Sequence, residues 1–175
     1  MACWRYFPRQ VGAGRGIGGG YRVVWAVAIS VMMRMCGGKM AQSSDRSAVK
    51  VLVYSDNSEF RKQVMFAVGR KVAADLPEIE YVEAATWPGA DVKVQEQKFD
   101  LLILDAETPK LGGIGFGKKV RDEYEPEMPL LVIVARPQDE WLARTAKPNA
   151  VVVQPIQPKQ LADAVAGVLR QTLKS

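Results

Sequence analysis

Phe99–Gly113 reads FDLLILDAETPKLGG. Leu101, Leu102, Ile103 and Leu104 form an unbroken apolar run, the signature of a short strand buried on both faces of a sheet. The run stops at Asp105, and a turn-rich loop with Pro109, Gly112 and Gly113 follows. A carboxylate at the C-terminal end of a buried strand lies where open α/β sheets keep their ligand crevice. Asp105 is therefore the first candidate for chemistry.

Upstream, Val49–Tyr54 (VKVLVY) predicts a strand ending in Ser55-Asp56-Asn57, with Asn57 placed to cap a helix. Phe60, Val64, Val68, Val72 and Leu76 recur every four residues, which predicts one helix running to Pro77. Ile79–Ala84 predicts a second strand, Trp87-Pro88-Gly89 a turn, and residues 90–98 a polar helix with Ala90 and Val94 inward. Downstream, Ile114, Val120 and Tyr124 mark a third helix, loosened at its start by Gly115 and Gly117. Pro129–Ala135 predicts strand four, and Trp141 with Leu142 are expected to anchor a short fourth helix. Ala150–Val153 predicts strand five, closed by Gln154-Pro155. Pro158 opens a last helix whose buried stripe is Leu161, Val165, Val168 and Leu169. Five strands alternating with five helices imply a parallel sheet covered on both faces, with no internal repeat.

The chain has 175 residues, 48% apolar and 25% charged, enough for one domain with a real core plus an extension. Its charge is unevenly placed. Arg5, Arg9, Arg15, Arg22, Arg34 and Lys39 give the first forty residues +6 against a whole-chain +5, so residues 41–175 carry −1. A near-neutral body argues against a direct nucleic-acid surface. There is no His, which excludes a Ser-His-Asp triad, and Cys3 and Cys36 both lie outside the body. Any metal must take oxygen donors, which suits hard cations such as magnesium.

Residues 1–45 are expected to be a disordered basic extension, with the true start near Met40. A signal or membrane anchor and a genuine basic tail stay open as alternatives. GAGRGIGGG at Gly12–Gly20 matches G-x-G-x-x-G but lacks the preceding strand a dinucleotide site needs. Val23–Met33 is apolar but short of the roughly 20 residues that span a bilayer.

Residues 48–173 resemble the receiver domain of bacterial two-component response regulators, on the order of elements and three strand-end motifs. These are Tyr54-Ser55-Asp56-Asn57, Asp105-Ala106-Glu107-Thr108-Pro109-x-x-Gly112-Gly113, and Gln154-Pro155. The resemblance implies a doubly wound, flavodoxin-like CheY-type (βα)5 fold of strand order 2-1-3-4-5, over residues 46–175. It implies that Asp105 is the phospho-acceptor, with magnesium held by Asp56, Asp105 and the Glu107 backbone carbonyl. Pro155 would follow a cis peptide. Four positions depart from the family. Ser55 replaces the first acid of strand one, Val134 the hydroxyl residue of strand four, Gln154 the lysine of strand five and Val151 its aromatic switch residue. The resemblance thus points to an atypical receiver, with Gln154 free to hydrogen-bond Asp105 and Asp56 alternatively part of the helix cap.

The function so implied is a cytoplasmic, stand-alone receiver in a phosphorelay. Its partner would be a histidine kinase or another signalling protein, and its only chemistry aspartyl self-phosphorylation and slow autodephosphorylation. No membrane contact is expected, and a homodimer stays open. Two alternatives remain. One is a phosphorylation-independent interaction module working through helix four, strand five and helix five, favoured if Trp141 is exposed. The other is a flavodoxin-like cofactor protein, disfavoured because SDNSEF after strand one lacks a phosphate cradle.

Overall fold

The computed structural model describes residues 48–174. The chain divides between Ser43 and Ser44, so all described residues belong to the second unit. The basic extension, the glycine-rich stretch, the Val23–Met33 run and the start at Met40 lie outside the described residues.

Five parallel strands, β1 (Ala48–Tyr54), β2 (Glu78–Ala84), β3 (Leu101–Asp105), β4 (Leu130–Val134) and β5 (Ala150–Val153), form one sheet ordered β2-β1-β3-β4-β5. This is the predicted flavodoxin-like order. Successive side chains of a strand point to opposite faces, so each central strand feeds two cores. Val51, Val53, Leu101, Ile103, Leu131 and Ile133 pack beneath α1 (Ser58–Val68) and α5 (Pro158–Thr172). Leu52, Tyr54, Leu102, Leu104, Val132 and Val134 pack beneath α2 (Trp87–Glu96), α3 (Gly113–Glu123) and the four-residue α4 (Glu140–Ala143). Burying one such Leu or Val side chain stabilises the fold by about 1.5–3 kcal/mol. The stripe Leu161, Val165, Val168 and Leu169 lies buried as predicted.

Four local expectations are corrected. The first helix ends at Val68, because Gly69 takes φ +72, a left-handed stop that only glycine adopts without strain. Val72 and Leu76 still meet the core, Leu76 fully buried, but from a connecting loop. Trp87-Pro88-Gly89 is the first turn of α2, not a turn before it. The Thr86 hydroxyl accepts from the Gly89 N–H, and Pro88 lacks the donor an N-terminal turn cannot use. Gly117 tightens α3 where loosening was expected. A Cβ there would come within 3.0 Å of Leu104 and 3.1 Å of Leu130, so glycine lets the helix lie close on the sheet. Trp141 and Leu142 do not anchor the fourth helix; they are exposed, and Ala143 and Ala146 are buried in their stead. The short helix, flanked by 3-10 turns, gives small residues the inward face.

Candidate functional site

The register decides which side chains meet at the C-terminal mouth of the sheet. β1 pairs with β3 so that Tyr54 lies opposite Leu104. The next residues, Ser55 and Asp105, are therefore neighbours, and both continue the alternation toward α1 and α5. Their side chains meet: Ser55 Oγ donates to Asp105 Oδ2 at 2.7 Å, with Ser55 wholly buried and Asp105 5% exposed. A hydroxyl-to-carboxylate bond of this length is charge-assisted and among the stronger hydrogen bonds of a protein. Asp105 Oδ1 accepts the Glu107 N–H at 3.1 Å, and Thr108 Oγ1 donates to the Asp105 carbonyl at 2.8 Å. Both carboxylate oxygens are thus oriented, each by one donor.

The loop after Asp105 folds back tightly over the strand end. A Cβ on Gly113 would sit 2.6 Å from the Asp105 carbonyl oxygen and 2.8 Å from Leu104 Cβ, so no larger residue fits. Tyr54 braces the same loop, donating its hydroxyl to the Leu111 carbonyl at 2.7 Å while its ring packs on Phe116. Burial pushes the Tyr54 phenol above its ordinary pKa, and the nearby charges of Asp56 and Asp105 add to that shift.

Asp56 is exposed one residue beyond Ser55 and lines an open cleft of about 280 Å³ with Tyr54, Trp87, Thr108, Pro109 and Lys110. It is not the helix cap: Asn57 Oδ1 accepts the Glu59 and Phe60 N–H groups, and Ser55 Oγ accepts the Asn57 N–H. Glu107 is exposed in the turn beyond Asp105. Among the described residues no three acids, histidines or cysteines cluster closely enough to form a ready-made metal cage. Asp105 and Asp56 with one carbonyl are nonetheless a fitting hard-oxygen set for magnesium, which keeps several waters and needs few protein ligands.

The other predicted positions stand apart from this group. Val134 ends β4 fully buried in the second core, offering only methyl surface, and Val151 packs half-buried against the same core. Gln154 does not hydrogen-bond Asp105, whose side-chain partners are Ser55 and Glu107; its backbone N–H donates to the Val134 carbonyl. The Gln154–Pro155 peptide is cis, as expected. Sequence reasoning missed Thr108 and Tyr54 as supports of the acceptor loop. It also read Ser55 only as a lost acid, whereas the β1–β3 register brings its hydroxyl onto Asp105.

No protein-family model matches the chain. Curated relatives do. Proteins described as uncharacterized response regulatory proteins in two Mycobacterium tuberculosis strains are 40% identical over 124 residues, spanning 71% of this chain and 93% of theirs. A chemotaxis protein CheY homolog of Campylobacter jejuni is 30% identical over 125 residues, 69% of this chain and 92% of its own. Among solved structures, Vibrio cholerae chemotaxis protein CheY4 matches with a TM-score of 0.57 at 25% identity, over 69% of this chain and 98% of that one. A Francisella response regulator receiver domain reaches a TM-score of 0.61 at 17% identity, over 71% and 98% of the two chains.

Proposed function

The chain belongs to the response regulator receiver family of two-component signalling, and on that premise we propose that Asp105 is its phospho-acceptor in an atypical receiver. The observation that carries this reading is the Asp105 carboxylate, set at the sheet mouth by the Ser55 hydroxyl and the Glu107 N–H. An oriented carboxylate is a competent nucleophile toward phosphorus once a cation offsets the incoming charge. One Asp105 oxygen attacks the phosphorus of a phosphorylated imidazole on a histidine kinase. The phosphorus–nitrogen bond breaks, the imidazole leaves with a proton, and an acyl phosphate forms. Asp56, Asp105 and the Glu107 carbonyl would hold magnesium, whose charge would offset that of the incoming group, with Ser55 leaving the set one negative charge short of the family's. Work in the cytoplasm, on the kinase's side of the relay, is part of the same reading.

What happens after transfer is weakened by chemistry. A phosphoryl group adds about −1.5 to −2 charges and strong acceptors, and a switch needs donors placed to receive them. Val134 donates nothing and Gln154 brings a neutral amide. Purified protein incubated with magnesium and a small phosphodonor is expected to gain the mass of one phosphoryl group on the peptide holding Asp105. No gain, under conditions that modify an ordinary receiver, overturns the assignment.

A second reading has its own support. Trp141 is 70% and Leu142 43% exposed on α4, apolar surface that a partner would cover. A phosphorylation-independent module docking partners through α4, β5 and α5 predicts that Trp141→Ala weakens partner capture while Asp105→Asn leaves it intact. The reverse pattern rejects this module.

A further inference from the structure

Arg61 lies in α1, yet only 13% of its side chain is exposed, uncommon for an arginine unless it is paired. Its Nε donates to Glu83 Oε2 at 2.7 Å, from the end of β2. Its Nη1 donates to the Ser55 carbonyl at 2.8 Å and reaches the Asp56 carbonyl at 3.4 Å. These carbonyls belong to the short link between β1 and α1, where the sheet ladder has ended. The last ladder-like bond is Ser55 N–H to the Ala84 carbonyl, and the next anchor is the Asn57 N–H on Ser55 Oγ. Between them the backbone carrying Asp56 is tied down by the guanidinium. The Asp56 carboxylate has no hydrogen-bond donor of its own among the described residues, so what the fold holds is the backbone it projects from.

We infer that Arg61 is a positioning residue for the cation site: it fixes the link from which Asp56 projects, and Glu83 holds Arg61 in place. The inference rests on the proposed reading of Asp56 as a magnesium ligand. The planar guanidinium suits the task because it donates to a carboxylate and to the link's carbonyls in one fixed geometry, which a lysine ammonium cannot reproduce. Magnesium demands near-ideal octahedral geometry, so a ligand that drifts loses affinity sharply.

The test is a magnesium titration of the full-length, nitrogen-15-labelled protein, following the Asp56 and Glu107 amide resonances. Arg61→Met is expected to raise the magnesium Kd about tenfold or more, the range seen when supports behind metal ligands are removed. Glu83→Gln should raise it less, and Arg61→Lys should recover part of the loss. Val64→Ala, on the core face of the same helix, should lower stability while leaving the Kd unchanged. An unchanged Kd in Arg61→Met overturns the positioning role, as does an equal rise in Val64→Ala; an unchanged Kd in Glu83→Gln alone removes Glu83 from it. Magnesium that leaves the wild-type amides unmoved brings down the metal reading and this inference together. Binding that the variants leave intact brings down the inference alone.

Discussion

The C-terminal ends of β1 and β3 differ sharply from those of β4 and β5. The first pair ends in Ser55, Asp56 and Asp105; the Ser55 hydroxyl bonds the Asp105 carboxylate, and Thr108, Tyr54 and Arg61 brace the adjoining loops. The second pair ends in Val134, which continues the apolar core, and Gln154, which carries no charge. The two halves of one mouth thus keep different chemistry. The half that carries the proposed attacking oxygen is built of oriented polar groups, while the other half offers a phosphoryl group little. On the proposed reading, transfer and response draw on different strands and so can be tested apart.

The contrast between the two halves should vanish most fully when the proposed acceptor is replaced. Asp105→Asn is expected to abolish the phosphoryl mass gain while the folded chain still melts cooperatively; any residual gain would place the acceptor elsewhere. Next comes Gly113→Ala, whose methyl must displace the backbone of Asp105. Overpacking of this kind costs about 1–3 kcal/mol, read as a fall in the urea midpoint with the slope unchanged. Ser55→Ala leaves Asp105 Oδ2 without its buried donor and should cost about 1.5–3 kcal/mol in the same measurement. A neutral result would mean water replaces the hydroxyl.

Refilling the empty half approaches the same contrast from the other side. Val134→Thr with Gln154→Lys should enlarge the amide shifts that follow phosphodonor addition, particularly along β4 and β5, while uptake at Asp105 persists. Unchanged shifts would mean the response is lost elsewhere. The smallest expected effect lies away from both halves and serves as a baseline. Hydrogen bonds from Arg170 hold the Asp75 carboxyl near 2, against an ordinary 3.8, across the exposed contact between the loop after α1 and α5. A depressed carboxylate pKa stabilises the folded chain fully above the ordinary value, and that contribution fades as pH falls through 2. Asp75→Asn should therefore lower Tm slightly at neutral pH and make no difference below pH 2.

Legibility followed the range of the interaction. Strand runs such as LLILD and VLVY were readable because burial on both faces demands consecutive apolar residues, and Asn57 was readable because capping is local. Phe60 to Leu76 misled because a four-residue period persists beyond Val68. Gly69 stops the helix, and the loop beyond it still returns Leu76 to the core. Trp141 misled because large apolar residues ordinarily face inward, whereas the inward positions of α4 and the 3-10 turn after it are Ala143 and Ala146. At the site, the candidate acceptor was legible from its place at a strand end, but its neighbours were not.

Local sequence was enough for the order of strands and helices, the apolar character of the sheet, Asp105 as the candidate acceptor and the absence of charge at positions 134 and 154. Those follow from periodicity and side-chain chemistry, which are properties of a residue and its near neighbours along the chain. Chain packing was needed to bring the Ser55 hydroxyl onto Asp105 and Arg61 onto the link bearing Asp56. Ser55 and Asp105 lie fifty residues apart. Their meeting depends on the register of two parallel strands, which no local pattern encodes.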